Sequence, residues 1–256
     1  MVHTAIQLFT LSDLEESIPE SVDRVGKTTF DGVELYGANL GALEDEEAAR
    51  KTRDALEEND LTVAATHARI DRLESSLEAV VDACEAVGCS TVVVPTYDTE
   101  AFETREGVRD AADRIADAAA DLEAHGIDLL YHNHTFEFGE VDGDVAFEVF
   151  VDAADGRFGF QPDVGLATHA GYDALSLLNL VADQAPIVHL TDAIPEDDDA
   201  LHADVGEGAV DVEACVDAAA ENGAEWIVCE NGVTDDPLAS LEHGSEAFDS
   251  LANRVS

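Results

Sequence analysis

The chain has 256 residues, of which 58 are acidic and 12 are basic, so its formal net charge at pH 7 is −46. A charge of this sign and size repels nucleic acid and anionic membranes, and we expect neither as a partner. Hydrophobic residues make up 46% of the sequence, which is too much for a disordered acidic chain. No apolar run approaches the roughly 20 residues that cross a bilayer, so the composition predicts a soluble folded protein.

The excess of acid predicts adaptation to high salt. Repulsion between surface carboxylates is screened within roughly 3 Å at 1 M ionic strength, and Lys27 and Lys51 are the only lysines. We therefore predict a halophilic source. The amino terminus lacks the basic flank of a secretory signal, and the four cysteines form no CxxC pair. These features favour a cytoplasmic protein with reduced, buried thiols.

Short β-branched runs alternate with longer, acid-rich helical segments from one end of the chain to the other. The predicted strands are 3–9, 31–37, 61–67, 90–96, 127–134, 157–161, 186–191 and 226–231. The segment 73–88 is typical of the helices between them, because its apolar residues recur at spacings of three and four. It ends at Gly88, where a helix terminus favours a left-handed residue.

Eight strand-and-helix units in about 250 residues predict an α/β fold, the (β/α)8 TIM barrel, as a single domain spanning residues 1–256. The chain contains no glycine-rich phosphate loop of the GxGxxG or GxxxxGK type, which disfavours an open nucleotide-binding sheet. In a barrel the carboxyl ends of all strands meet at one mouth. Polar residues at the strand ends are therefore expected to converge.

Seven polar side chains lie at or just beyond these predicted ends: Glu34, His67, His132, His134, Asp163, His189 and Glu230. A single histidine near a strand end usually has a structural role, and a single acid in this chain means little. The combination of Asp163, His189 and Glu230 on three consecutive strands is more specific. Carboxylate and imidazole together suit a divalent cation such as Mn²⁺, Mg²⁺, Co²⁺ or Zn²⁺. The sequence therefore predicts one metal site at the mouth.

Six segments carry a family resemblance: FDGVELYG (30–37), YHNHTFEF (131–138), QPDVGLATHAG (161–171), VHLTD (188–192), VGEGAVD (205–211) and WIVCEN (226–231). In this order and spacing the chain resembles the sugar phosphate isomerase/epimerase group of the xylose isomerase-like TIM barrels. The resemblance implies one divalent metal held by residues of strands five to eight. Asp163, His189 and Glu230 match the last three ligands. Where many relatives have a strand-five glutamate this chain has His132, so we expect Glu137 as that ligand, with His132 as the alternative.

The resemblance also implies an isomerase or epimerase of carbohydrate metabolism. Its substrate would be a sugar, sugar phosphate or related hydroxy-ketone, converted through a metal-stabilised enediolate. Glu137 and Glu230 are expected to be the acid and base. Residues expected to contact the substrate are His67, His132, His134 and Glu207. Thr191 stands where many relatives have a lysine, which argues against lysine-dependent proton transfer or phosphate binding.

Other functions stay open at this point. Loss of a β-hydroxyl from the same intermediate would make the protein a dehydratase, a lyase acting on an inosose-like or related cyclic polyol ketone. An abasic-site endonuclease is disfavoured by the net charge and by the absence of a basic, aromatic patch. A non-catalytic sugar-binding barrel would need no acid pair, and homo-oligomer formation is undecided. Three further histidines, His3, His202 and His243, are expected at the surface or the barrel floor.

Overall fold

The computed structural model describes residues 2–195 and 201–255. Its eight parallel strands are β1 His3–Gln7, β2 Gly32–Leu35, β3 Thr62–His67, β4 Thr91–Val94, β5 Asp128–His132, β6 Gly159–Gln161, β7 Ile187–His189 and β8 Trp226–Cys229. Strands β1 to β6 pair in sequence order, β8 pairs with both β1 and β7, and Ala5 lies opposite Val228. The predicted (β/α)8 barrel is confirmed.

The barrel closes between β6 and β7 just beyond the strands themselves. Asp163 and His189 form a single parallel bridge, and the His189 N–H donates to the Pro162 carbonyl at 2.9 Å. A second contact lies lower, where the Phe160 N–H donates to the Gln184 carbonyl at 2.8 Å. Every other seam contains at least two registered residue pairs within its strands. The closing seam is therefore the least paired one in the described barrel.

Helices cover the outside of the barrel. They are α1 Ile18–Val25, α2 Gly37–Ala42, α3 Glu46–Glu58, α4 Ile70–Val87, α5 Arg105–Glu123, α6 Ala146–Ala154, α7 Val164–His169, α8 Ala174–Leu180, α9 Val212–Glu221 and α10 Pro237–Arg254. Short 3₁₀ turns span Leu8–Leu14, Thr99–Glu103 and Phe136–Phe138, and a small hairpin joins Glu140–Val141 to Asp144–Val145. Local chemistry sets the helix ends: the Thr104 side chain accepts from the Gly107 N–H at the start of α5, and Gly88 ends α4 with φ of 70°.

Strand residues alternate between two environments. Outward side chains such as Ile6, Leu35 and Phe160 pack between the strands and the helices in the main hydrophobic core. The inward side chains of the lower layer form a separate apolar plug of Ala5, Ala64, Ala65, Val93, Leu130, Ile187 and Val228. Residues two positions further along a strand share the same face. The layer above the plug is polar and lies at the carboxyl ends of the strands: Gln7, Glu34, His67, His132, Gln161, His189 and Glu230.

Two smaller predictions can also be compared with the structure. All four cysteines are buried and none forms a disulfide, as the sequence predicts. Among the described residues, no helix is both long and apolar enough to cross a membrane.

Candidate active site

A cavity of about 440 Å³ opens at the carboxyl ends of the strands. It is lined by Gln7, Phe9, Tyr36, Gly37, Ala38, His67, Arg69, Pro95, His132, His134, Leu166, Leu201, His202, Glu230, Gly232 and Val233. A larger cavity of about 880 Å³ lies at the opposite end of the barrel, near the first residues of β5 and β6. Chemistry in TIM barrels is located at the carboxyl ends of the strands, so the smaller cavity is the candidate site.

Glu34 lies at the centre of the polar layer and is fully buried. Gln7 Nε2 donates to its Oε2 at 2.6 Å, and Gln161 Nε2 donates to its Oε1. Oε2 also lies 2.6 Å from His189 Nε2 and 3.1 Å from His67 Nε2. Burial opposes ionisation, but the charge of His189 and then that of His67 outweigh it and hold the pKa of Glu34 well below its usual value. Glu34 is thus a buried carboxylate that anchors two imidazoles.

Glu34 orients the His189 ring. With Nε2 on Glu34, His189 directs Nδ1 toward Glu230 Oε2 at 3.1 Å and Asp163 Oδ2 at 3.9 Å. Burial disfavours the protonated ring, but the charge of Glu34 and the hydrogen bonds to Glu230 and Glu34 raise the pKa of His189 to about 10. An imidazole held by a carboxylate on one nitrogen and free to bind through the other is the usual arrangement of a metal-ligating histidine.

Asp163 follows β6 and caps α7. Its Oδ1 accepts from the Leu166 N–H at 2.7 Å and from the Thr191 hydroxyl at 2.5 Å. The Asn133 amide fixes its backbone, accepting from the Asp163 N–H at 3.0 Å and donating to its carbonyl at 3.2 Å. Among the described residues its buried Oδ2 has no hydrogen-bond partner, and neither has His202 Nε2, 3.8 Å away. The second carboxylate oxygen is therefore free to bind a ligand.

Among the described residues, three overlapping groups of side chains have potential ligand atoms within 4.8 Å of one another. They are Glu34, His67 and His189; His132, Asp163 and His189; and Asp163, His202 and Glu230. The buried polar atoms without partners include Asp163 Oδ2, His202 Nε2 and His134 Nδ1. Because a buried polar atom without a partner is costly, this donor set fits a divalent cation. The structure brings Asp163, His189 and Glu230 together, as expected from their strand positions.

Glu137 lies elsewhere. It sits on the Phe136–Phe138 turn, fully buried, where Oε1 accepts from the Tyr131 hydroxyl at 2.8 Å and Oε2 from the His134 N–H at 3.0 Å. Burial raises the pKa of Glu137 to about 7, although the Tyr131 hydrogen bond works against this shift. Tyr131 faces the outer core, since side chains alternate along β5. Glu137 therefore packs on the outer side of the strand and does not line the cavity.

His132, the alternative β5 ligand, points into the barrel. Its Nδ1 lies 3.1 Å from Gln161 Oε1, and the ring belongs to the group that contains Asp163 and His189. Of the two alternative ligands predicted from the sequence, Glu137 and His132, the structure thus places His132 beside the other predicted ligands. A residue five positions past the strand end could not be placed by strand geometry, because the turn that follows β5 decides its direction.

The residues expected to contact substrate divide into two groups. His67, His132 and His134 line the cavity, whereas Glu207 is exposed and does not. Gln7 and Gln161, which donate to Glu34, were not among the residues predicted from the sequence. Both lie two residues beyond a small inward residue, Ala5 and Gly159, so the two-residue period of a barrel strand is the signal that could have identified them.

The expectation for His202 is wrong. It lies at the cavity rather than on the surface or floor, and its Nδ1 accepts from the Gly232 N–H at 3.0 Å. The Ala203 N–H donates to the carbonyl of Asp192, just after β7, at 2.8 Å, and this contact holds His202 at the mouth. His3, in contrast, is exposed at the start of β1, on the barrel floor, as expected.

Asp192 organises this connection. Its buried carboxylate accepts four backbone N–H groups at 2.9 Å, from Ala193, Gly206, Gly208 and Val210. A Cβ at Gly208 would lie 2.2 Å from Asp192 Oδ1, so only glycine fits there. The backbone of the VGEG stretch (205–208) thus surrounds the Asp192 carboxylate, and the Glu207 side chain is exposed to solvent.

Comparisons with known proteins agree with this architecture. The family model described as xylose isomerase-like TIM barrel matches residues 22–251. No curated protein sequence matches the chain. A solved sugar phosphate isomerase/epimerase from Parabacteroides distasonis is similar with a TM-score of 0.81 and 17% identity, covering 100% of this chain and 96% of that one.

Two further solved structures share the fold. The probable 3-DHS dehydratase AsbF from Bacillus anthracis has a TM-score of 0.77 and 12% identity, covering 97% of this chain and 99% of its own. The IOLI protein, solved with a bound zinc atom, has a TM-score of 0.75 and 14% identity over 100% and 99% of the two chains. At such identities the likeness shows the fold alone. With the family model spanning most of its length, the chain belongs to the xylose isomerase-like TIM barrel family.

Proposed function

We propose that the protein is a divalent-metal-dependent isomerase or epimerase acting on a sugar, sugar phosphate or related hydroxy-ketone. The observation that carries the proposal is the buried Asp163 Oδ2, which lies 3.8 Å from His202 Nε2; neither atom has a hydrogen-bond partner in the part of the chain that the structure describes. Glu230 completes the same group. A carboxylate oxygen without a donor is expensive to bury, and a bound cation would remove that cost.

The proposed ligands are Asp163, His189 and Glu230, with His202 as a fourth and His132 close by. When bound there, a divalent cation supplies a Lewis acid that polarises a substrate carbonyl and acidifies the neighbouring C–H. A set with two imidazoles favours Zn²⁺, Co²⁺ or Mn²⁺ over Mg²⁺. The zinc atom bound by the IOLI protein, which has the same fold, is consistent with that preference.

Glu230 and His134 are the proposed proton-transfer groups. Burial alone would raise the pKa of Glu230, but the hydrogen bond and charge of His189 outweigh it and lower that pKa, so the carboxylate is ionised and can accept a proton. Burial lowers the pKa of His134, which keeps its ring neutral with Nδ1 unpartnered. Both side chains line the cavity from non-adjacent strands. Return of the abstracted proton by Glu230 to the neighbouring carbon gives isomerisation, and delivery of a proton to the opposite face of the same carbon gives epimerisation.

In this scheme Glu137 has a different role from the one expected. Both its oxygens are engaged, one by the Tyr131 hydroxyl and one by the His134 N–H. We propose that it positions the backbone of His134 instead of exchanging a proton with substrate. Its replacement by glutamine should therefore leave metal retention near the wild-type level.

The test compares E230Q with E78Q, which changes the same functional group at an exposed position on α4. Purified proteins are treated with EDTA, reloaded with Mn²⁺ and incubated with a panel of ketoses, with products followed by NMR. We expect turnover that requires Mn²⁺, a loss of about 100-fold or more in E230Q, and no change in E78Q. Equal turnover and equal metal retention in E230Q and wild type would reject the assigned site.

A dehydratase is the second candidate, because loss of a β-hydroxyl after the same proton abstraction releases water. The probable 3-DHS dehydratase AsbF has a similar fold, which is consistent with this second candidate. Growth of the ultraviolet absorbance of an unsaturated ketone would identify it in the same incubations. An endonuclease is opposed by the net charge of −46. Sugar binding without turnover in the Mn²⁺-loaded protein would identify a binding barrel.

A further inference from the structure

The charge of the cavity wall differs from that of the molecule as a whole. Of the sixteen described residues that line it, Glu230 is the only carboxylate and Arg69 the only lysine or arginine. In the whole chain, 58 of 256 residues are acidic and 12 are basic. The described cavity wall therefore lacks the negative excess that dominates the rest of the sequence, and it holds one permanent positive charge.

Arg69 is available for a ligand. Seven of the ten arginines lie within 4.0 Å of a carboxylate. The exposed Arg69 side chain has no hydrogen bond or ion pair with any described residue. Arg53 and Arg109 also lack described ion pairs, but they lie on the outer helices α3 and α5. Arg69 is thus the one arginine at the mouth, and its guanidinium has no carboxylate partner among the described residues.

The position of Arg69 matches that of a substrate contact. It follows His67 by two residues at the carboxyl end of β3, and its carbonyl accepts from the Leu73 N–H at 3.2 Å in the first turn of α4. Its side chain shares the cavity with His132 and Glu230. A guanidinium binds carboxylate or phosphate through parallel hydrogen bonds. An anionic substrate also needs local positive charge to enter a molecule with this net charge.

We propose that Arg69 binds an anionic group of the substrate, so that the substrate is a hydroxy-ketone carrying a phosphate or a carboxylate. This inference rests on the proposed function, since it names the substrate class of the same site. A neutral sugar offers the guanidinium no negative charge to pair with. Phosphate and carboxylate both accept hydrogen bonds from a guanidinium but differ in geometry, and the experiment distinguishes them.

The test uses three small hydroxy-ketones: neutral dihydroxyacetone, dihydroxyacetone phosphate and hydroxypyruvate. Affinities are measured by calorimetry at constant salt, on EDTA-treated and on Mn²⁺-loaded protein. Wild type should bind one of the charged compounds about tenfold more tightly than dihydroxyacetone, as expected for charge-assisted hydrogen bonds. R69Q should lose that preference while binding dihydroxyacetone as before. R72Q, which removes the same charge from α4 where Arg72 pairs with Glu44, should retain it.

The charged compound whose affinity falls in R69Q identifies the anionic group. An identical preference in wild type and R69Q would overturn the inference, as would a failure of both charged compounds to bind. The measurement on EDTA-treated protein does not depend on the metal. Loss of Mn²⁺-dependent turnover with the R69Q effect intact would thus reject the proposed function alone, and turnover with no R69Q effect would reject the inference alone.

Discussion

At the residue scale, Glu34 shows how one buried carboxylate can organise a site without lining its cavity. Two imidazoles and two amides converge on it, and its ionised state depends on the positive charge of His189 and His67. Removing one partner of a buried, paired charge leaves the other uncompensated, which is far more costly than loss of a surface pair. Glu34 should therefore be more important for stability than any exposed acid.

We predict that E34Q lowers the free energy of unfolding by about 3 kcal/mol, because the His189 imidazolium loses its nearest carboxylate. Chemical denaturation at fixed salt and pH 7 measures the change. E47Q is the matched control: Glu47 pairs with Lys51 on the exposed face of α3, where a surface ion pair contributes at most about 1 kcal/mol. Equal losses in the two variants would show that Glu34 is not a buried anchor.

Glu137 should give the stability of the protein a pH dependence of unusual sign. Its pKa is about 7 in the fold and 4.5 in the reference state, so between these values the folded protein binds the proton more tightly than the unfolded chain. The stabilisation from this group is complete below pH 4.5 and is lost as pH rises through 7. The loss amounts to about 3 kcal/mol, at 1.36 kcal/mol per pKa unit.

The variant E137Q isolates this contribution, since glutamine does not titrate. The unfolding free energy of wild type relative to that of E137Q, measured by denaturation from pH 4.5 to 8, should decrease as pH increases. A difference that stays constant across this range would mean that the carboxyl ionises in the fold as it does in water.

The sequence predicted those site residues whose position depends on a strand alone. Asp163, His189 and Glu230 meet because the carboxyl ends of parallel strands converge, which requires no knowledge of the loops. Glu137 and His202 could not be placed in this way, because a turn carries the first away from the cavity and a long connection brings the second to it. Side-chain direction in loops depends on tertiary contacts that no local pattern contains.

At the scale of elements, the predicted strands are longer than the observed ones. The run 3–9 yields β1 His3–Gln7, and 186–191 yields β7 Ile187–His189. Pairing stops in both strands while the polar and apolar alternation of the sequence continues. Leu8 then begins a 3₁₀ turn instead of extending the strand. Periodicity therefore predicts the number and order of the elements better than their ends.

The segment after β7 depends on a single side chain, which makes it testable as an element. D192A removes the acceptor of four backbone N–H groups and should cost about 4 kcal/mol, at roughly 1 kcal/mol for each hydrogen bond. Hydrogen exchange should increase across residues 203–210. D173A, which removes one N-cap bond to Ser176 on α8, should cost only about 1 kcal/mol and leave that exchange unchanged. Unaltered protection of 203–210 in D192A would contradict this assignment.

At the scale of the whole molecule, charge is the dominant property. Most arginines are already paired, so the remaining carboxylates of a chain with a net charge of −46 repel one another without a protein counterion. Bulk salt is the available source of screening. The halophilic origin predicted from composition would make such salt the normal environment of the protein.

We predict that the melting temperature rises between 0.1 and 1 M KCl, because the screening length shortens over that range from about 10 Å to about 3 Å. Secondary structure should be lost on dialysis into dilute buffer. Circular dichroism follows both. Sucrose at the same osmolality is the control, because it is excluded from the surface without screening charge. Full stability in dilute buffer would show that the acidic surface does not require salt.

The seam between β6 and β7, the least paired in the described barrel, is formed by two of the proposed site residues. Asp163 and His189 form the bridge that joins β6 to β7, and His189 Nδ1 also lies 3.1 Å from Glu230 Oε2 and 3.9 Å from Asp163 Oδ2. Any transient opening of the ring along this seam would separate them before other strands part. The site would then disappear in partly opened molecules that still keep nearly all of their secondary structure, and whatever binds between these residues would also hold the ring closed.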